Sequence, residues 1–211
     1  MSVLAERNLT TRRLLSCGLV AGPLFVVAFL IQGAVKGSGY DWMRHPVSSL
    51  ALGDHGWVQT ANFLLTGLLT LAFAVGLWRS GLRVGAVLIG VWGVGLIGAG
   101  LFVTDPVSGF PVGTPDAIDY TTVGALHDAF SLPAFVALAA AQVVLSRGRG
   151  WKWLVYSLLS ATAFLVCDVL ASSGFGQTAV LVDVAGLFQR LAVIIGLTWT
   201  VLLALRVLRR T

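Results

Sequence analysis

Apolar residues run through this chain in long unbroken blocks separated by short polar stretches, not in the alternating or three-to-four spacing of half-buried elements. A helix needs about 20 mainly apolar residues to cross a bilayer. Six stretches reach that length: Leu14–Val35, Trp57–Trp78, Val84–Thr104, Gly124–Leu145, Trp153–Ser173 and Val184–Val207. The pattern predicts an all-α integral membrane bundle of six transmembrane helices. It divides the chain into an N-terminal tail over residues 1–13, a membrane domain over 14–207 and a C-terminal tail over 208–211. The first block is longer than the apolar core of a signal peptide, and no small-x-small cleavage site follows it, so it reads as a retained helix.

The basic residues orient the bundle. If six spans alternate, Arg7, Arg12, Arg13, Arg79, Arg83, Arg147, Arg149, Lys152, Arg206, Arg209 and Arg210 fall on one side, and only Lys36, Arg44 and Arg190 on the other. Cytoplasmic connections carry the excess of Lys and Arg. Both termini are therefore expected in the cytoplasm, in a multi-pass protein of the bacterial plasma membrane. The acids run the other way. Glu6 alone is cytoplasmic, while Asp41, Asp54, Asp105, Asp116, Asp119, Asp128, Asp168 and Asp183 lie in outer loops or outer helix halves. The positive-inside rule does not require that bias, so the outer half holds polar chemistry of its own.

Composition agrees with this frame. Charged residues make up 11% of the chain and hydrophobic ones 57%, against roughly 25% charged in soluble domains. The net charge of +5 resides in the connections between spans, which removes nucleic acid as a partner and leaves the lipid bilayer. Cys17 and Cys167 fall near opposite faces and read as two free thiols. In the third span Ala86, Gly90 and Gly98 share one face, where small residues let helix backbones approach closely. The first outer loop, with Tyr40, Asp41, Trp42, Arg44 and His45, suits a segment lying at the membrane interface. The second, with Asp105-Pro106, Phe110-Pro111 and Thr114-Pro115, cannot be one long helix. The outer ends of the even spans echo one another: Gly56…Gln59-Thr60, Gly124…His127-Asp128 and Gly186…Gln189-Arg190 each place a polar pair three and four residues after a glycine.

Ionisable groups at membrane depth are costly and usually face a protein interior or a wet cavity. Asp168 and Arg190 lie at similar depth on neighbouring spans and are expected to pair. Asn62 and Thr66 share a face of the second span, and His127 and Ser131 a face of the fourth. His45, Ser48 and Ser49 are placed to fold in from the first outer loop, and Asp105 closes the third span. Together these predict an outward-opening polar cavity. A metal site has little support, with no HxxxH or HExxH, and a Ser–His–Asp set could be drawn only loosely from Ser48 or Ser49, His127 and Asp128 or Asp105. No haem or other cofactor is expected.

Several segments resemble the bacterial "domain of unknown function 998" membrane family: Arg44-His45-Pro46-Val47-Ser48-Ser49-Leu50-Ala51-Leu52-Gly53, Gly56-Trp57-Val58-Gln59, Asn62-Phe63, Phe102-Val103-Thr104-Asp105-Pro106, Leu126-His127-Asp128 and Gly186-Leu187-Phe188-Gln189-Arg190. They occur in order along nearly the whole chain. The resemblance implies a multi-pass bacterial membrane protein. It assigns no reaction and no catalytic residue.

The expected function is a membrane-embedded enzyme or binder acting on a lipid or isoprenoid. Asp128, His127 and Asp105 are the candidates for proton transfer, and Arg190, Asp168, Asn62, His45 and Gln189 for holding the ligand. The alternative is a small transporter or an accessory, structural membrane subunit without enzymatic activity.

Overall fold

The computed structural model describes residues 3–37 and 39–210. Six long helices account for most of them: α1 Val3–Val35, α2 Gly56–Arg79, α3 Arg83–Leu101, α4 Thr122–Val144, α5 Trp151–Phe175 and α6 Ala185–Leu208. All six are long and apolar enough to cross a membrane. Among the described residues no helix is paired with a sheet; the lone β-bridge, Val107 to Phe110, belongs to a turn. The helix bounds follow the apolar blocks closely, with two exceptions. Residues 3–13, expected as a tail, are helical and extend α1. The third span stops at Leu101, and the chain is already extended at Phe102.

Each helix packs against the next, and α6 returns to α1, so the six form a closed circuit around one core. Its largest fully buried side chains are Trp92, Trp199, Phe29, Phe73 and Phe164. The seam between α4 and α5 is the loosest between consecutive helices. Both termini lie at one end, where the Arg12 guanidinium donates to the Leu208 carbonyl at 3.2 Å. Trp78 and Trp151 are exposed near that end and Trp42 and Trp57 near the other, the girdle arrangement favoured where headgroups meet hydrocarbon.

The α3 glycines serve two neighbours. A Cβ on Gly93 would come within 3.2 Å of the Gly67 carbonyl on α2, and one on Gly95 within 2.8 Å of the Phe130 carbonyl on α4. Gly98 faces the Phe130 ring. Of the expected stripe of Ala86, Gly90 and Gly98, Gly98 therefore makes a close contact with α4 and Gly90 does not. Gly90 has open space, with Ala74 no nearer than 4.0 Å.

At the end opposite the termini, the loop between α1 and α2 does not lie along the interface as expected. It folds into the mouth of the bundle, burying His45, Val47, Ser48, Ser49 and Leu50. Main-chain groups buried this way need partners, and the helices supply them. Gln32 on α1 donates to the Leu50 and His55 carbonyls. Lys36 reaches the carbonyls of Leu50, Leu52 and Asp54 at 2.6–3.0 Å. The α6 side chain Gln189 accepts from the Val47 amide at 2.7 Å, and the Leu187 amide donates to the Met43 carbonyl.

Arg190 completes this grip. It is buried and donates to the His45 carbonyl at 2.9 Å, to the Gly186 carbonyl, and to the Tyr40 hydroxyl. Burial pushes the Tyr40 phenol up, against the opposing pull of Arg190, so Tyr40 remains a hydroxyl that donates onward to the Pro46 carbonyl. Gly186 is obligatory here, since any Cβ would strike the His45 and Trp42 carbonyls. On the rim, Arg44 forks between Asp116 and Asp183, at 2.9 Å each, and ties the three loops together. Both partners are largely exposed, so each bond contributes at most about 1 kcal/mol.

Candidate functional site

Beneath the inserted loop, a cavity of about 340 Å³ opens among the helices. Its wall is mostly apolar, with Trp92 from α3, Phe63 from α2 and Phe135 from α4. The polar groups on it are few: His127, Asp128 and Ser131 from α4, Asp168 and Ser172 from α5, Gln189 from α6, Ser48 from the inserted loop and Thr104 and Tyr120 from the loop before α4. At 1.5 Å per residue, His127 lies about 8 Å inside the start of α4 and Asp168 about 10 Å inside the end of α5. The site therefore sits within the span. Leu132 lines it and is more than half exposed on the bundle's outer surface, so the cavity reaches that surface along the loose α4–α5 seam.

His127 is held by the frayed end of α3. Its Nδ1 lies 2.8 Å from the Phe102 carbonyl and 3.2 Å from that of Ala99. Both partners are acceptors, so Nδ1 carries a hydrogen that it donates to the main chain. Nε2 has no hydrogen-bond partner among the described residues. The early stop of α3 leaves these carbonyls available, which is why the imidazole docks there. A Ser–His–Asp relay through this ring is not formed, because the nitrogen a carboxylate would orient is already bonded to the main chain.

Asp128 faces the Tyr120 hydroxyl across the cavity mouth. Partial burial, then the Asp128 carboxylate, pushes the Tyr120 phenol up. Asp168 has no hydrogen-bond or ion-pair partner among the described residues. The expected Asp168–Arg190 pair does not form, because Arg190 is turned away to hold the inserted loop. Gln189 uses its carbonyl oxygen on Val47 and leaves its amide NH₂ without a partner among the described residues.

The structure thus brings His127, Asp128, Asp168 and Gln189 to one cavity and sets four other candidates beside it. Asp105 receives the Thr121 amide at 2.8 Å and the Thr121 hydroxyl at 2.7 Å, placing a carboxylate at the N-terminus of α4, where it complements the helix dipole. Asn62 bridges α2 to the Phe25 carbonyl of α1 at 3.2 Å. His45 and Arg190 secure the loop. Tyr120 and Trp92 also line the cavity, and the pattern of polar residues along the chain does not single them out. A tryptophan in mid-span between glycines, away from the interface that tryptophan favours, was the available signal for Trp92. Among the described residues no three His, Cys, Asp or Glu gather into a metal-binding group.

The model of the DUF998 family, described as a protein of unknown function, matches residues 19–206, which reach into all six helices. The chain belongs to the DUF998 family. No curated protein and no solved structure matches it.

In this DUF998 protein the segments that carry the family resemblance meet in space: the loop Arg44–Leu50 is what Gly186, Gln189 and Arg190 grip. His45 is satisfied on both ring nitrogens. Nδ1 accepts from the Asp41 amide at 2.8 Å, and Nε2–H donates to the Ser108 carbonyl at 3.1 Å. Burial holds its pKa below the ordinary 6.5, and protonation would destroy the Nδ1 bond. The unfolded chain then binds a proton that the folded one resists, so stability is full above pH 6.5 and falls as pH drops below it. Thermal unfolding in detergent is expected to shift downward from pH 7.5 to 5.5, and His45→Gln, which keeps the Ser108 bond without titrating, should flatten that slope. A slope unchanged in His45→Gln would place the acid sensitivity elsewhere.

Proposed function

We propose that this protein binds an amphipathic, membrane-dissolved molecule of the lipid or isoprenoid class in the cavity under its inserted loop, and acts on it by proton transfer. The observation that carries this reading is the cavity itself: a mostly apolar chamber at membrane depth, reaching the bundle surface between α4 and α5, with a few polar groups converging on it. Ligand sites commonly enclose about 300–1,000 Å³ and combine apolar walls with a few placed polar groups. An apolar tail would enter along the α4–α5 seam past Leu132. His127 in its neutral form would accept a proton at Nε2 from a polar head group, with Asp128 and Asp168 as its carboxyl partners and the Gln189 amide orienting the head group. In the same reading the basic end faces the bacterial cytoplasm and the inserted loop the opposite side, supported by the distribution of Lys and Arg.

Mass spectrometry of small molecules extracted from protein purified in mild detergent tests it. The wild type should carry an amphiphile that Ser131→Trp, which fills the cavity, excludes while thermal stability is kept. His127→Gln should retain the molecule but leave it unconverted in cells overproducing the protein. Identical extracts from the wild type and Ser131→Trp would overturn the binding reading. A lipid profile unaffected by the wild type would reduce the protein to a binder or a structural subunit.

A further inference from the structure

The opposite end of the bundle carries a second concavity, about 480 Å³ in volume, between α5 and α6. Its floor is aromatic. Trp153 stacks on Trp199 with ring centres 5.8 Å apart, and Tyr156 lies 5.5 Å to its side. Its outer wall is Leu202 and Leu205, both exposed on the face that the span turns to lipid. Its rim is cationic, formed by Arg206, Arg209 and Arg210.

The arginines at this rim are crowded and have no ion-pair partner among the described residues. The Arg206 guanidinium lies over the Trp153 ring at 5.2 Å and donates to the Arg149 carbonyl at 2.5 Å, while its Nε is buried with no hydrogen-bond partner. Burial, followed by the charges of Arg210 and Arg206, lowers the pKa of Arg149. Both ion pairs among the described residues belong to Arg44, at the far end of the molecule. Like charges gathered against an apolar floor are unfavourable unless something anionic shares the site. A phosphate matches the guanidinium fork in shape and charge. Leu202 and Leu205 lead away from that rim into the hydrocarbon, which a phosphate attached to an acyl chain would use and a free anion would not.

We infer that this groove is a binding site for an anionic phospholipid, with its phosphate on Arg206, Arg209 and Arg210 and its first acyl carbons along Leu202, Leu205 and Tyr156. Basic pockets between helices at the membrane surface take acidic headgroups in this way. The site is independent of the cavity under the inserted loop and of whatever reaction occurs there.

The full-length protein in nanodiscs, titrated with phosphatidylglycerol or phosphatidylcholine and read by native mass spectrometry, tests the inference. The wild type should retain phosphatidylglycerol selectively. The double variant Arg209→Gln/Arg210→Gln should bind it about 25-fold more weakly, from about fivefold for each arginine near a membrane surface. Both side chains are exposed, so folding is preserved. The control pair Arg83→Gln/Arg147→Gln removes two exposed charges that do not line the groove and should weaken binding clearly less than the groove pair does. Three results would overturn the inference: equal retention of the two lipids, an equal loss in the control pair, or displacement of the lipid by millimolar inorganic phosphate, which would make the groove a free-anion site.

Discussion

Arg190→Met is expected to lower the unfolding temperature in detergent by roughly 10 °C. The side chain is buried at the mouth of the bundle, where it holds the His45 carbonyl and the Tyr40 hydroxyl. Methionine fills much of the volume but offers no donor, so two groups of the inserted loop lose a charged partner. Hydrogen bonds from charged groups contribute about 1.5–3 kcal/mol each, so the loss is about 3 kcal/mol or more. At this chain length each kcal/mol moves the transition by about 2–4 °C. Tyr40→Phe, which removes one of the two bonds, should show a smaller shift in the same direction. Fluorescence-detected size exclusion after heating measures both. A shift for Arg190→Met under about 2 °C would mean that Gln189, Gln32 and Lys36 seat the loop without it.

The second large effect is expected at Gly95. Gly95→Leu places a branched side chain where even a Cβ meets Ala134 and the Phe130 carbonyl. Neither obstacle is the flexible end of a long side chain, so α3 and α4 must separate. Overpacking costs about 1–3 kcal/mol where neighbours can yield, and here a backbone carbonyl cannot. Gly95→Leu should therefore fail to give a monodisperse protein. Gly90→Ala, five residues earlier in the same helix, should match the wild type within about 0.5 kcal/mol, since it adds a methyl group to open space and improves helix propensity. Parallel purification of the two variants separates a contact requirement from a general intolerance of side chains on α3. Loss of both would point to the latter.

The helices were legible because the bilayer imposes a length and a composition that the apolar blocks meet directly. The polar cluster in one half was legible for a related reason, since ionisable groups at depth are rare and conspicuous. The roles within that cluster were not. Arg190 and Asp168 sit at matching depth, and depth says nothing about direction around a helix axis. Whether an arginine turns toward a carboxylate or toward loop carbonyls depends on where the loop goes. The loop's insertion is specified by long-range partners, Gln32 and Lys36 on one side and Gln189 and Arg190 on the other, that no local pattern links. The glycine echo of the even spans acquires a meaning only in three dimensions. Gly56 makes room for the Ala51 carbonyl, Gly124 for the Asp105 carboxylate and Gly186 for the His45 carbonyl. In each case an oxygen from a loop rests on the first turn of a helix. His127 was found for its chemistry, whereas the donor role of its Nδ1 follows from α3 ending at Leu101, a few residues sooner than hydropathy indicates.

The closure of α6 onto α1 bears on how the chain is made. A ribosome delivers α1 and the loop after it first and α6 last. Until α6 arrives, the Val47 amide and the His45 carbonyl lack the side chains that satisfy them, and the face of α1 around Gly22, which packs on the Leu197 carbonyl, has no cover. The earliest segment to enter the membrane is thus the last to be secured. Assembly is governed by the whole length of the chain, and a fragment ending before α6 would be a set of inserted helices without the seated loop that roofs the cavity.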